Sequence, residues 1–215
     1  MTEAAVNLNF QLTPTEAIAA LRAKTPLSDV EFAALEEKYK GEAFTVAGME
    51  EQELLGVVQD SLSKAMTEGL TERSWEKQVA PMLDAAGFTP VNSYHLATVF
   101  YTNLYSAFSA GRYEMAFHPF VKEMLPWFEY RKSLEVECDI CDPLDGFTAP
   151  KDDGIWDSIY PPNHMNCACG VFSVEAQDEQ DSEDDLKAEG WDGVAEGFDH
   201  PPTDFMDMES AQEGI

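Results

Sequence analysis

Apolar residues recur at helical spacing through the first half of the chain and give way to alternation past its middle. Leu54, Val58, Leu62 and Ala65 fall on one stripe, flanked by Leu55 and Met66, and predict a helix over about 50–67 that Gly69 ends. Thr71 is placed to cap the next helix, whose Trp75, Val79 and Leu83 face inward and whose end fits a left-handed cap at Gly87. Pro81 inside it predicts a kink or an early stop. The longest pattern, through Leu96, Val99, Phe100, Asn103, Leu104, Ala107, Phe108 and Gly111, predicts a helix from Asn92 or Ser93 to about Phe117. Asn103 lies inside that apolar stripe, where an amide needs a partner, and a bond to a neighbouring loop is expected. Upstream, Thr13-Pro14-Thr15-Glu16 and Ser28-Asp29-Val30-Glu31 read as capped helix starts on either side of Pro26. Ala43-Phe44-Thr45-Val46-Ala47-Gly48 is a short apolar segment with β-branched residues.

After Pro119 the period changes. Leu125 to Lys132 and Leu134 to Glu137 alternate apolar with polar as half-buried strands do, and Cys169 to Val174 gives a strand that can return beside them. Beyond Glu175 the run Gln177 to Asp185 holds essentially no apolar residue, so a flexible linker is expected, followed by a tail with isolated anchors at Trp191, Phe198 and His200. The fold class is therefore α+β: a helical N-terminal region with a long central helix, a small antiparallel β module clamped by Cys and His, and an acidic flexible C-terminal tail. The expected divisions are a helical extension over 1–41, a main domain over 42–174 that is helical over 42–120 and β/Cys over 121–174, and the tail over 175–215.

Charge narrows the partners. Against 13 Lys and Arg stand 41 Asp and Glu, for a formal net charge of −28 in 215 residues. Such a surface repels phosphate backbones and anionic membranes, so autonomous nucleic-acid binding is not expected. It suits a basic partner surface, although solubility alone accounts for it equally well. No apolar run approaches the roughly 20 residues that cross a bilayer, and the first residues lack a positive region with an apolar core behind it. The expectation is a soluble protein made in the cytoplasm, where paired cysteines bind metal or catalyse more often than they form disulfides.

All four cysteines lie between 138 and 169. Cys138-Asp-Ile-Cys141 is a knuckle that presents two thiolates, His164 stands three residues before Cys167, and Cys167 and Cys169, two apart in an extended chain, point to one face. Tetrahedral zinc takes four donors, so Cys138, Cys141, His164, Cys167 and Cys169 leave one spare, His164 or Cys169. Structural zinc is the leading reading, with reduced core cysteines or disulfides as the others. A redox dithiol lacks its βαβ context. A deaminase needs a glutamate two residues after the histidine, and Asn166 stands there. Asp142, Asp145, Asp152, Asp153 and Asp157 crowd the same loop and read as a solvated acidic face rather than a cation site. Trp156 reads as a local core plug. There is no phosphate-cradling glycine loop and no nucleophile elbow.

Leu144-Asp145-Gly146, Asp152-Asp153-Gly154-Ile155-Trp156, Pro161-Pro162 and Cys167-Ala168-Cys169, in that order, resemble the phage Mu F-like minor head protein family. Ala43 to Ala47 and Tyr101 to Tyr113 are similar to it as well, so the resemblance covers roughly Ala43 to Val174, with Gly190-Trp191-Asp192 matching its tail. Ala168 stands where the family carries arginine, and Cys141 where many relatives carry histidine, an exchange of one metal ligand for another.

The resemblance implies a non-enzymatic minor capsid or head morphogenesis protein of a tailed phage or prophage. It would be made in the host cytoplasm and built into the virion near the portal or inner capsid wall, contacting portal, major capsid or scaffolding protein. Some relatives carry fused toxin or protease domains; a bare head-protein module is expected here. The alternative is a metal-dependent nuclease or hydrolase acting on packaged DNA, suggested by the aspartates near His164.

Overall fold

The computed structural model describes residues 14–35, 40–41, 43–90, 92, 94–133 and 138–200. One helix, α5 (His95–Phe117), is shared by two separate apolar cores. Its 23 residues extend about 35 Å.

The first core surrounds the N-terminal half of α5. Against it pack α1 (Thr15–Ala23), α3 (Gln52–Glu68) and α4 (Glu72–Ala85), burying Leu21, Leu55, Val58, Trp75, Val79 and Phe100. The expected caps are present. Gly69 ends α3 at φ 65°, its N–H donating to the Ala65 carbonyl, and the Thr71 hydroxyl accepts from the Ser74 N–H. α4 does not stop at Pro81. That residue lies on the exposed face, where water can satisfy the carbonyl its missing N–H leaves open. Between α1 and α3, strand β1 (Thr25–Pro26) pairs in parallel with β2 (Ala43–Phe44). Helix α2 (Asp29–Ala34) starts at the expected Ser28/Glu31 capping box. The buried Gln59 amide donates to the carbonyls of Leu21 and Lys24 at 2.7 and 2.8 Å, satisfying acceptors that the end of α1 leaves without helical partners. The Thr13 cap, Ser93 and the strand expected over Leu134 to Glu137 lie outside the described residues.

α1 crosses α5 at Gly111. A Cβ there would stand 2.9 Å from the Ala17 nitrogen and 3.3 Å from its Cα, backbone atoms that cannot swing aside. Gly111→Ala is expected to lower stability by about 1–3 kcal/mol through this overlap, outweighing the gain of about 1 kcal/mol that alanine brings to an ordinary helix interior. Thermal denaturation of the two proteins checks the sign.

Asn103 also differs from expectation. It is half-buried, and its Nδ2 donates to the Val99 carbonyl of its own helix at 2.8 Å rather than to a loop. The amide solves its desolvation problem one turn back along α5.

The second core lies under a three-stranded sheet ordered β4 (Thr148–Pro150), β3 (Trp127–Arg131), β5 (Gly170–Val174), antiparallel throughout. The return strand expected after Cys169 pairs Trp127 with Val174 and Arg131 with Gly170. Phe128 and Tyr130, two apart, point to the buried face. With Tyr113 and Phe117 of α5, Trp156 of the short α7 (Trp156–Ile159) and Tyr160, Phe128 forms a chain of tilted and edge-on ring contacts 4.7 to 6.2 Å apart. α6 (Pro119–Met124) connects α5 to β3.

The acidic segment is not a free linker over its described part. Asp181 is held to the edge strand β4 by one backbone and one side-chain bond, its N–H donating to the Thr148 carbonyl and its carboxylate accepting from the Thr148 N–H at 2.7 Å. Ser182 and Asp185 form a capping box that starts α8 (Glu183–Ala188), and Leu186 and Trp191 are buried in the second core. Composition underrates this segment because two anchors suffice when a neighbouring surface is ready to receive them. Residues 201–215 lie outside the description. No described helix is long and apolar enough to cross a membrane.

Candidate metal centre

Two turns and one strand end meet above the second core. In the first turn the Cys141 N–H donates to the Cys138 carbonyl at 3.0 Å and the Asp142 N–H to the same oxygen at 2.8 Å, so Cys138 and Cys141 face one point. Asp142 closes this knuckle, accepting from the Cys138 N–H at 3.3 Å and from the Lys132 ammonium at 3.0 Å. The second turn runs from His164 to Cys167, with the Cys167 N–H donating to the His164 carbonyl. Asn166 takes φ 59°, a left-handed conformation that asparagine tolerates better than most residues. The Asn166 N–H donates to the Thr102 hydroxyl at 3.0 Å, tying this turn to α5. Cys169 immediately precedes β5, and its sulfur accepts from the Ser133 N–H.

All five expected donors are brought to this place, in two overlapping triads. Cys138, Cys141 and His164 form one, Cys141, Cys167 and Cys169 the other, with the donor atoms of each within 4.8 Å of one another. Cys141 belongs to both. The Cys141 and Cys167 sulfurs are 3.9 Å apart, close to the edge of about 3.8 Å that two thiolates span on tetrahedral zinc and far beyond the S–S bond of about 2 Å. The four cysteines are free thiols. Cys138 Sγ lies 3.2 Å from His164 Nε2. His164 Nδ1 is 2.8 Å from the Met165 carbonyl, which can only accept, so the proton sits on Nδ1 and Nε2 offers its lone pair inward.

Without a cation the electrostatics favour one thiolate, Cys167, and keep Cys141 and Cys169 protonated. Hydrogen bonds from Cys141 and Cys169 hold the Cys167 thiol far below its ordinary range, against the opposing effect of burial, while its hydrogen bond to Cys167 pushes the Cys141 thiol up. Behind them, burial raises the Tyr130 phenol so far that it stays a neutral donor, hydrogen-bonded to Cys141. Asn163, fully buried, donates to the Tyr130 oxygen and to the Ile159 carbonyl, both at 3.1 Å. Donor set, spacing and second layer are those of a site that could hold a metal ion.

Neither Thr102 nor the Tyr130–Asn163 pair stands out in the sequence as part of this site. The alternation of β3 carries the one usable signal, since it places Tyr130 inward toward the cysteines. The loop aspartates do not join the donors: no carboxylate belongs to either triad among the described residues, and Asp152 pairs instead with Lys122. Trp156 is 1% exposed, a core plug as expected.

Residues 56–172 match the family model described as Phage Mu protein F like protein. The chain belongs to this family. The matched stretch runs from within α3 to β5 and includes all five donors, while α1, α2 and α8 fall outside it. Among Mu F-like relatives, the putative capsid assembly protein F of Escherichia phage Mu is 25% identical over an alignment of 193 residues that covers 77% of this chain and 41% of that protein. The Mu-like prophage FluMu F protein of Haemophilus influenzae is 27% identical over an alignment of 151 residues that covers 64% of this chain and 36% of that one. The chain thus spans about two-fifths of the length of the curated relatives it matches. No solved structure matches it.

Proposed function

We propose that this Mu F-like chain is a minor head protein of a tailed phage or prophage, built into the capsid during assembly at or near the portal vertex, and that one structural zinc ion clamps its second core. The family match across both cores carries the first part of this reading. Cys141 and Cys167 serve as two of the zinc ligands, and the remaining two come from Cys138, His164 and Cys169. When bound, zinc would join the loop before β4 to the strand end of β5, two segments separated by more than 20 residues of chain, its binding energy offsetting the entropy lost in closing that loop. The residues around the metal hold it in place; they do not open a reaction site.

Two measurements test the reading. Heads assembled with this protein as a tagged component are expected to retain it through density-gradient purification, together with portal protein; its absence from finished and precursor heads alike would sink the assembly role. The purified chain is expected to contain about one zinc per molecule, and chelation is expected to lower the melting temperature by at least about 10 °C, given that each kcal/mol shifts a chain of this length by about 2–4 °C. Metal-free protein with an unchanged melting curve rejects the clamp.

A further inference from the structure

α8 and the loop after it do more than cover the second core. With the loop that precedes α7 they enclose an open groove of about 700 Å³. Five carboxylates line it, Asp153, Asp181, Glu183, Asp192 and Asp199, against a single cation, Lys187. Lys187 is already committed to Glu183 at 2.7 Å. Asp181 is held by Thr148 and Asp153 by the Ile155 N–H. Asp192 and Asp199 are exposed and make no hydrogen bond or ion pair with any described residue.

An acidic lining on a chain of charge −28 would mean little by itself. Trp191 also lines the groove; the residue is 7% exposed and its indole Nε1–H is buried without an acceptor among the described residues. A buried donor without an acceptor is costly unless an incoming group supplies one. The indole calls for a carbonyl or similar oxygen, which a bare cation lacks and a peptide backbone carries. Nor do the carboxylates converge as ion ligands do: none belongs to a cluster of three donor atoms within bonding range of one ion among the described residues. Charges spread along a groove beside a donor and the apolar edges of Ile155 and Val194 fit an extended chain bearing several positive side chains.

We propose that this groove is a docking site for a lysine- or arginine-rich segment of a partner protein, with Asp192 and Asp199 meeting its cations and the Trp191 indole donating to its backbone. This goes beyond the head-protein reading and does not rest on the zinc clamp.

The test is binding of a fluorescein-labelled, end-blocked hexaarginine peptide to the full chain as purified, read by anisotropy at moderate salt. D192N/D199N is expected to weaken binding about five- to tenfold, consistent with two exposed ion pairs of up to about 1 kcal/mol each. The charge-matched control E53Q/D60N, on the exposed face of α3 in the other core, is expected to change it less than about twofold by the same reasoning. Equal losses in the two double variants would show that the peptide senses only the overall charge, and the docking site would be rejected. Trp191→Phe keeps an aromatic side chain, smaller than the indole, and removes the N–H; a matching melting curve separates the lost donor from lost packing. The substitution is expected to weaken the peptide severalfold while leaving spermine, which has charges but no carbonyl, unaffected; peptide binding unchanged by Trp191→Phe also overturns the proposal. The four substituted acids are exposed, so matching melting curves separate a binding loss from a folding loss.

Discussion

Cys141→Ala is expected to empty the metal centre and unfold the second core, while Cys138→Ala and Cys169→Ala each leave metal in place. The asymmetry follows from geometry rather than from the count of donors. Removing any one of five leaves four, enough for tetrahedral zinc. But Cys141 is the only member common to both triads, and without it Cys138 with His164 and Cys167 with Cys169 remain as pairs that no donor joins. Structural zinc contributes on the order of 10 kcal/mol of folding free energy in small metal-dependent modules, comparable to the whole stability of a typical domain, about 5–15 kcal/mol. Loss of Cys141 also removes one of the two sulfurs, the other being Cys169, that accept from the Tyr130 hydroxyl. Zinc content by atomic absorption and near-ultraviolet circular dichroism of the aromatic cluster would measure both effects. Equal metal retention in all three variants would overturn the shared-ligand assignment.

Trp156→Ala is the second large effect expected, a loss of about 3–5 kcal/mol for emptying a fully buried aromatic site. The indole touches Phe128 at 5.3 Å and Phe147 at 5.6 Å between ring centres, and its Nε1–H donates to the Pro150 carbonyl at 2.9 Å. It therefore fastens α7 to both the sheet and the end of β4. Trp156→Phe should cost less, chiefly the lost hydrogen bond of about 1 kcal/mol and part of the packing. Urea titration of the three proteins ranks them; an alanine variant within about 1 kcal/mol of the parent would mean that the site collapses around the loss.

Much of this architecture is legible in the sequence because the strongest signals are local. The Thr71 cap, the Gly69 stop and the stripes of α3 and α4 each depend on neighbours within a few positions, and each is found where expected. The convergence of the cysteines is legible for a different reason. Alternation predicts the strands, and β5 returning beside β3 leaves Cys141 and Cys167 no room to be far apart. What escapes is determined across the fold. Leu186 is one apolar residue in an acidic run, and only the receiving surface makes it an anchor. Thr102 holds the His164–Cys167 turn from 64 positions away. Asn103, next to it, draws the eye as the polar residue in an apolar stripe and yet, among the described residues, its amide donates to its own helix.

α5 contributes Leu96, Val99, Phe100 and Ala107 to one core and Ala116, with Tyr113 and Phe117 beside it, to the other. A continuous helix is stiff along its axis, so neither core can rotate against the other without breaking backbone hydrogen bonds in its middle turns. A partner's pull on one core is therefore carried through the helix to the other.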